Sequence, residues 1–202
     1  MSATTPASGA RTRLSPEQRR EQLLDLGVQL LATRSLEELT IDLIRAEAGI
    51  SRGLLYHYFG NKQGFHRAVV QRAADDLYEQ TAPPEEGDPL ERLLASLTAY
   101  VDYVAANYEG YRSLVQGAAS GPGDLREIYE TTRQRLSDRV FTADAQSEIM
   151  PDTPGARLVV RGWALLVEEM TLRWAEDPHG LTRDELLAVL GGALPALVDQ
   201  LP

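Results

Sequence analysis

Apolar residues recur at helical spacing along nearly the whole chain. Leu23, Leu26, Leu30 and Leu31 lie three to four residues apart, the period of one helix face. Ahead of them, Ser15-Pro16-Glu17-Gln18 reads as a helix start: Ser15 caps, Pro16 takes the first helical position and Gln18 closes a capping box. The pattern predicts this helix to about residue 34. A short helix follows from Thr40, with Ile41, Leu43, Ile44 and Ala48 inside and Gly49 as its stop. Another spans 51–58, and Asn61 caps a fourth that reaches about residue 80. Later helices are predicted over about 89–107, 109–118, 124–146, 154–176 and 182–200. Thr182-Arg183-Asp184-Glu185 is a capping box for the last of them. No run alternates at period two for long enough to make a strand, so the fold class is all-α, with about nine helices.

The clearest linker is Ala82-Pro83-Pro84-Glu85-Glu86-Gly87-Asp88-Pro89. It divides the chain into a flexible arm (1–14), an N-terminal unit (15–80) and a C-terminal unit (81–202), with the fourth helix expected to pack on both units. Charge follows the same division. Residues 1–80 carry ten Lys+Arg and ten Asp+Glu, whereas 81–202 carry ten and twenty. All of the net charge of −10 therefore belongs to the second unit. Arg11, Arg13, Arg19 and Arg20 make the entry segment basic, and a neutral head with a basic edge suits phosphate contact by that end alone. The lack of cysteine excludes disulfides and thiolate metal sites and fits a cytoplasmic protein. No apolar run approaches a membrane span, and the N-terminus has no secretory h-region.

The informative stretch runs from Leu39 to Lys62. Two short helices meet at Gly49, whose freedom at positive φ ends the first one sharply, and Ile50 follows as an apolar plug. This is the sequence form of a helix-turn-helix, whose second helix lays its N-terminal residues against base edges. Leu55 and Phe59 would face the core with Ile50 and Ala48. Ser51, Arg52, Leu54, Tyr56 and His57 would face outward. Ser51 caps and can bond phosphate, Arg52 can reach a guanine edge or a phosphate, and Gly53 lets the backbone approach. Thr40 and Lys62, the only lysine in the chain, flank the site at phosphate positions. Singly, Thr40, Ser51 and Asn61 are equally well explained as helix caps.

Taken together, Ala48-Gly49-Ile50-Ser51, Leu55-Tyr56-His57-Tyr58-Phe59 and Gly60-Asn61-Lys62 closely resemble the DNA-binding region of the tetracycline-repressor (TetR) family. The resemblance covers about residues 15–80. It implies that Tyr56 and Lys62 contact phosphates and that Arg52, Leu54 and His57 bear on operator sequence. It further implies a C-terminal helical domain that binds a small-molecule effector and forms a homodimer through the last two helices, with repression relieved by effector. Where the family has an acidic residue and then leucine after the lysine, this chain has Gln63-Gly64-Phe65. Phe65 can replace the leucine, and Gly64 is expected to soften the helix start by about 1 kcal/mol relative to alanine.

Residues 154–176 and 182–200 are rich in apolar side chains, and Gly191-Gly192-Ala193 forms a small-residue patch that would admit another helix closely. Pro195 is expected to bend or loosen the final helix. Candidate effector contacts are Tyr100, Tyr103, Tyr111, Phe141, Trp163, Met170 and Trp174, although aromatics at helical spacing equally suit a core. Arg112, Arg161 and Arg173 could recognise an anionic ligand, but arginines so placed more often read as surface or interface ion pairs. No enzyme is indicated: His57, His66 and His179 lie in separate segments, and no phosphate loop or Gly-x-Ser-x-Gly is present. Glu168-Glu169 on an apolar helix could be a buried acid, but charges there usually form a solvated edge. No cofactor or metal is implied. A helical adaptor that binds only protein is the alternative, and it leaves Arg52, Tyr56, His57 and Lys62 on one outward face without a purpose.

Overall fold

The computed structural model describes residues 14–120, 123–144 and 150–201; the first thirteen residues of the expected arm, with Arg11 and Arg13, lie outside them. Among the described residues there are nine helices and no strand. They are α1 (Pro16–Leu31), α2 (Ile41–Ala48), α3 (Arg52–Phe59), α4 (Lys62–Gln80), α5 (Pro89–Ala106), α6 (Tyr108–Ser120), α7 (Gly123–Ala143), α8 (Pro154–Glu176) and α9 (Arg183–Val198). The local signals act as expected. Ser15 and Gln18 close the capping box of α1, Thr182 and Glu185 that of α9, and Gly49 ends α2 at φ +63°. α1 stops at Leu31, short of residue 34, and α9 runs unbroken through Pro195. The end expected for the seventh helix at 146 lies outside the described residues.

α1 to α4 form a head around Leu23, Leu39, Ile44, Leu55, Phe65 and Val69, all fully buried. α5 to α9 form a body around Val101, Val160, Trp163, Leu186, Leu190 and Leu194. The Trp163 indole N–H donates to the Leu190 carbonyl at 2.8 Å, which satisfies a buried donor and fixes α8 against α9. The two cores are not cleanly separate. Leu114 of α6 and Leu125 and Ile128 of α7 belong to the head's cluster, and Leu77 of α4 packs with Val104 and Tyr111. α4 is the element common to both. Its N-terminus abuts α3 and its far end reaches the body, where Arg135 of α7 pairs with Asp75 at 3.1 Å.

Two small-residue expectations are sorted by the packing. Gly191 faces inward against α5, where an added Cβ would lie 2.6 Å from Leu94 Cδ2. Gly192 opens outward with nothing near it. It shares the outer face of α8 and α9 with exposed apolar side chains: Leu158 is 73% exposed, Leu165 47% and Val189 49%.

Candidate DNA-binding face and effector cavity

The head presents α3 to solvent by burying one side of it. Leu55 is fully buried and Phe59 stacks edge-on against Phe65 at 5.0 Å, so the opposite face carries Arg52, Gly53, Tyr56 and His57, all exposed. Leu54 is half-buried at the margin. Ser51 caps α3 by accepting from the Leu54 N–H at 3.2 Å, and Thr40 caps α2 by accepting from the Leu43 N–H at the same distance. Both residues remain exposed, and Lys62 stands at the start of α4 beside the Asn61 cap. The structure thus brings Thr40, Ser51, Arg52, Gly53, Tyr56, His57 and Lys62 to the surface of one small unit and sets Leu54 beside them.

Two contacts on this face are invisible to local pattern. Arg52 donates to both Asp42 oxygens, at 3.0 and 3.2 Å, and Arg45 adds a third bond to the same carboxylate at 3.1 Å. The Arg52 guanidinium, with Arg45 behind it, holds the Asp42 carboxyl below its ordinary range. In the free protein the principal base-reading candidate is therefore parked on an acid of the preceding helix. Behind the face, His66 bonds the Leu39 carbonyl at 2.8 Å and so ties α4 to the residue preceding the α2 cap. Burial pushes its imidazole below the usual range.

Gly64 corrects an expectation. It is not a weak point in α4: a Cβ there would overlap the Phe59 carbonyl oxygen. That same oxygen accepts from the Asn61 N–H at 2.9 Å, and the Gly64 N–H donates to Asn61 Oδ1 at 2.8 Å. Glycine admits the close passage of α3 into α4.

The body contains a cavity of about 90 Å³ between α5, α7 and α8, walled by Leu97, Val140, Val160 and Trp163 and by the polar tips of Tyr100 and Tyr111. Of the seven aromatic and methionine candidates, Tyr100, Tyr111 and Trp163 stand on its wall. The other four are placed elsewhere, each engaged in packing. Tyr103 donates to the Ala73 carbonyl at 3.0 Å, with burial pushing its phenol up to about 12. Phe141 is a core residue beneath the Arg157 guanidinium, Met170 packs on the body's core, and the Trp174 N–H bonds the Leu181 carbonyl at 2.9 Å. Arg112 and Arg173 are surface pairs with Glu109 and Glu169, and Arg161 is exposed.

Of the Glu168-Glu169 pair, the solvated-edge expectation holds for one residue and the buried-acid alternative for the other. Glu169 is the solvated edge; Glu168 is 7% exposed and lines the cavity. Its register carried the signal, since Val160, Ala164, Val167 and Thr171 follow the inward period of α8 and residue 168 falls within that stripe.

With this geometry established, comparison with known proteins is decisive. Residues 23–69 match the bacterial regulatory proteins of the tetR family, and residues 89–193 match the tetracyclin repressor-like C-terminal domain. This chain belongs to the TetR family. A TetR-family regulator from Streptomyces coelicolor, known from its crystal structure, is 33% identical, with a TM-score of 0.80 covering 91% of this chain and 82% of that one. The transcriptional activator FasR of Mycolicibacterium smegmatis is 25% identical over 183 residues, 89% of this chain and 83% of its own. The regulator BetI of Stenotrophomonas maltophilia is 28% identical over 160 residues, 77% and 80% of the two chains. These TetR relatives are transcription regulators rather than enzymes, and this chain is a helix-turn-helix transcriptional regulator of the same family. No helix among the described residues is long and apolar enough to cross a membrane.

Proposed function

We propose that this TetR-family chain acts as a homodimer on a palindromic operator and that occupancy of the body cavity lowers its affinity for DNA, so that it represses until an effector binds. The observation that carries this reading is the course of α4. Its nineteen residues span about 28 Å at 1.5 Å per residue. It begins at Lys62 on the DNA face and ends where Arg139 of α7 holds the Tyr78 carbonyl and, at 3.1 Å, the Thr81 hydroxyl. Thr81 and Arg139 both line the cavity. The cavity is small, so a drug-sized ligand must part α7 and α8, and that displacement is passed to the far end of α4. The effector then works through its differential affinity for two separations of the heads.

The division into head (15–80) and body (81–202) serves this mechanism, with α4 as the lever between them. Thr40, Ser51 and Lys62 take phosphates with Tyr56, while Arg52, Gly53, Leu54 and His57 meet the major groove. The dimer forms on the outer face of α8 and α9, where Leu158, Leu165 and Val189 are exposed around Gly192. Two heads spaced by one helical turn, about 34–36 Å, or a multiple of it, match the two half-sites of a palindrome.

Anisotropy titration against DNA flanking the chain's own coding region, at several salt concentrations, tests the reading. Saturable salt-dependent binding at one palindrome by a species that sediments as a dimer supports it. Equal, weak binding to all sequences by protein stripped of ligand by unfolding and refolding refutes it.

A further inference from the structure

Among the charged side chains of the body, Glu168 is both buried and without a counter-ion. Its oxygens accept from the Tyr111 hydroxyl at 2.9 Å and the Tyr129 hydroxyl at 2.6 Å, and among the described residues no cationic side chain pairs with it. Because Tyr111 donates to Glu168, the 2.7 Å contact between the Tyr100 and Tyr111 hydroxyls has Tyr100 as donor. Three phenol hydrogens are thus aligned toward one carboxylate. Burial pushes the Tyr100 and Tyr111 phenols well above their ordinary range, which keeps them protonated donors. Phenols spread the charge and do not cancel it. A buried charge without an opposite partner is expensive to hold, and a ligand that supplies the partner recovers that cost.

The walls around this carboxylate suit a cation. Trp163, Tyr100 and Tyr111 supply aromatic surface and Leu97, Val160 and Val167 the apolar remainder. Aromatic rings attract a desolvated ammonium through their quadrupole. The two arginines on the wall do not offer a matching site for an anion. Arg139 is occupied by the Tyr78 carbonyl, the Thr81 hydroxyl and the Tyr78 ring, 3.5 Å from its guanidinium. Arg133, only 23% exposed, lies over the Tyr129 ring at 5.1 Å and is paired with Glu130 at 3.6 Å.

We propose that the effector is an organic cation, an ammonium group on a compact apolar body, and that Glu168 with Tyr100, Tyr111 and Trp163 recognises its charge. This rests on the reading of the cavity as the effector site. The test is calorimetric titration of the full-length protein with three probes of one shape: choline, its uncharged isostere 3,3-dimethylbutan-1-ol, and 3,3-dimethylbutanoate. Choline should bind at least about tenfold more tightly than the alcohol, with the carboxylate weakest. In Glu168→Gln the preference should fall to within about threefold, and in Tyr129→Phe, which leaves the carboxylate, it should persist. The order of the three probes on the unaltered protein is informative even if Glu168→Gln does not fold. Equal binding of choline and the alcohol, tighter binding of 3,3-dimethylbutanoate, or no binding of any probe overturns the proposal. Choline that binds through Glu168 yet leaves operator affinity unchanged overturns instead the reading of the cavity as the effector site, and leaves the charge assignment standing.

Discussion

Replacing Gly64 with alanine sets two physical arguments in direct opposition. Helix propensity alone says that alanine in the first turn of α4 gains about 1 kcal/mol over glycine. The packing says the reverse, because the new methyl would occupy the position of the Phe59 carbonyl oxygen. That oxygen belongs to backbone and cannot rotate away as a side chain could. To relieve the overlap the carbonyl must turn, which breaks its bond with the Asn61 N–H and pulls the Asn61 cap off the Gly64 N–H. A turn hydrogen bond and a helix cap are each worth about 1 kcal/mol, and overpacking adds about 1–3 kcal/mol. After the propensity gain, the net loss is about 2–4 kcal/mol. In a chain of this size each kcal/mol moves Tm by about 2–4 °C, so thermal unfolding followed by circular dichroism should show a fall of roughly 4–16 °C. Operator affinity should weaken as well, since Lys62 and the end of α3 are held by the same turn. An unchanged or raised Tm would refute the packing argument and return the decision to propensity.

Asp42→Asn should release Arg52 and remove a negative charge from the DNA face, which tightens binding by up to about fivefold; gel-shift or anisotropy titration showing weaker binding contradicts the parked-arginine geometry. Glutamate at Leu158 and Leu165 together should yield monomers by sedimentation and cost about a hundredfold or more in operator affinity, because each head then binds alone. For His66, the folded state holds the ring neutral while the unfolded chain takes up a proton near pH 6.5. Its contribution is therefore present above about pH 6.5 and is lost as pH falls below it. The drop in Tm between about pH 7.5 and 5.5 should be smaller in His66→Gln than in the unaltered protein, and an equal drop would count against this assignment.

What the sequence determined by itself lies within a turn or two of chain. Caps at Ser15, Thr40, Ser51, Asn61 and Thr182, the stop at Gly49 and the inward period of Leu55 and Phe59 depend only on near neighbours, and each is found where the pattern puts it. The same local logic made the head's outward face legible at Arg52, Gly53, Tyr56, His57 and Lys62, whereas Leu54, expected outward, is half-buried at its margin. The tertiary structure decided matters in which the partner is remote in sequence or the fit is one of volume. Asp42 meets Arg52 ten residues on, across the turn, and Gly64 is needed for a carbonyl five residues back in another helix. Tyr111 and Tyr129 reach Glu168 from two other helices, so of two adjacent acids on α8 this one is buried. The seven candidate pocket residues divide for the same reason: helical spacing places an aromatic on an inner face, and only the packing of α5, α7 and α8 decides whether that face meets another side chain or a cavity.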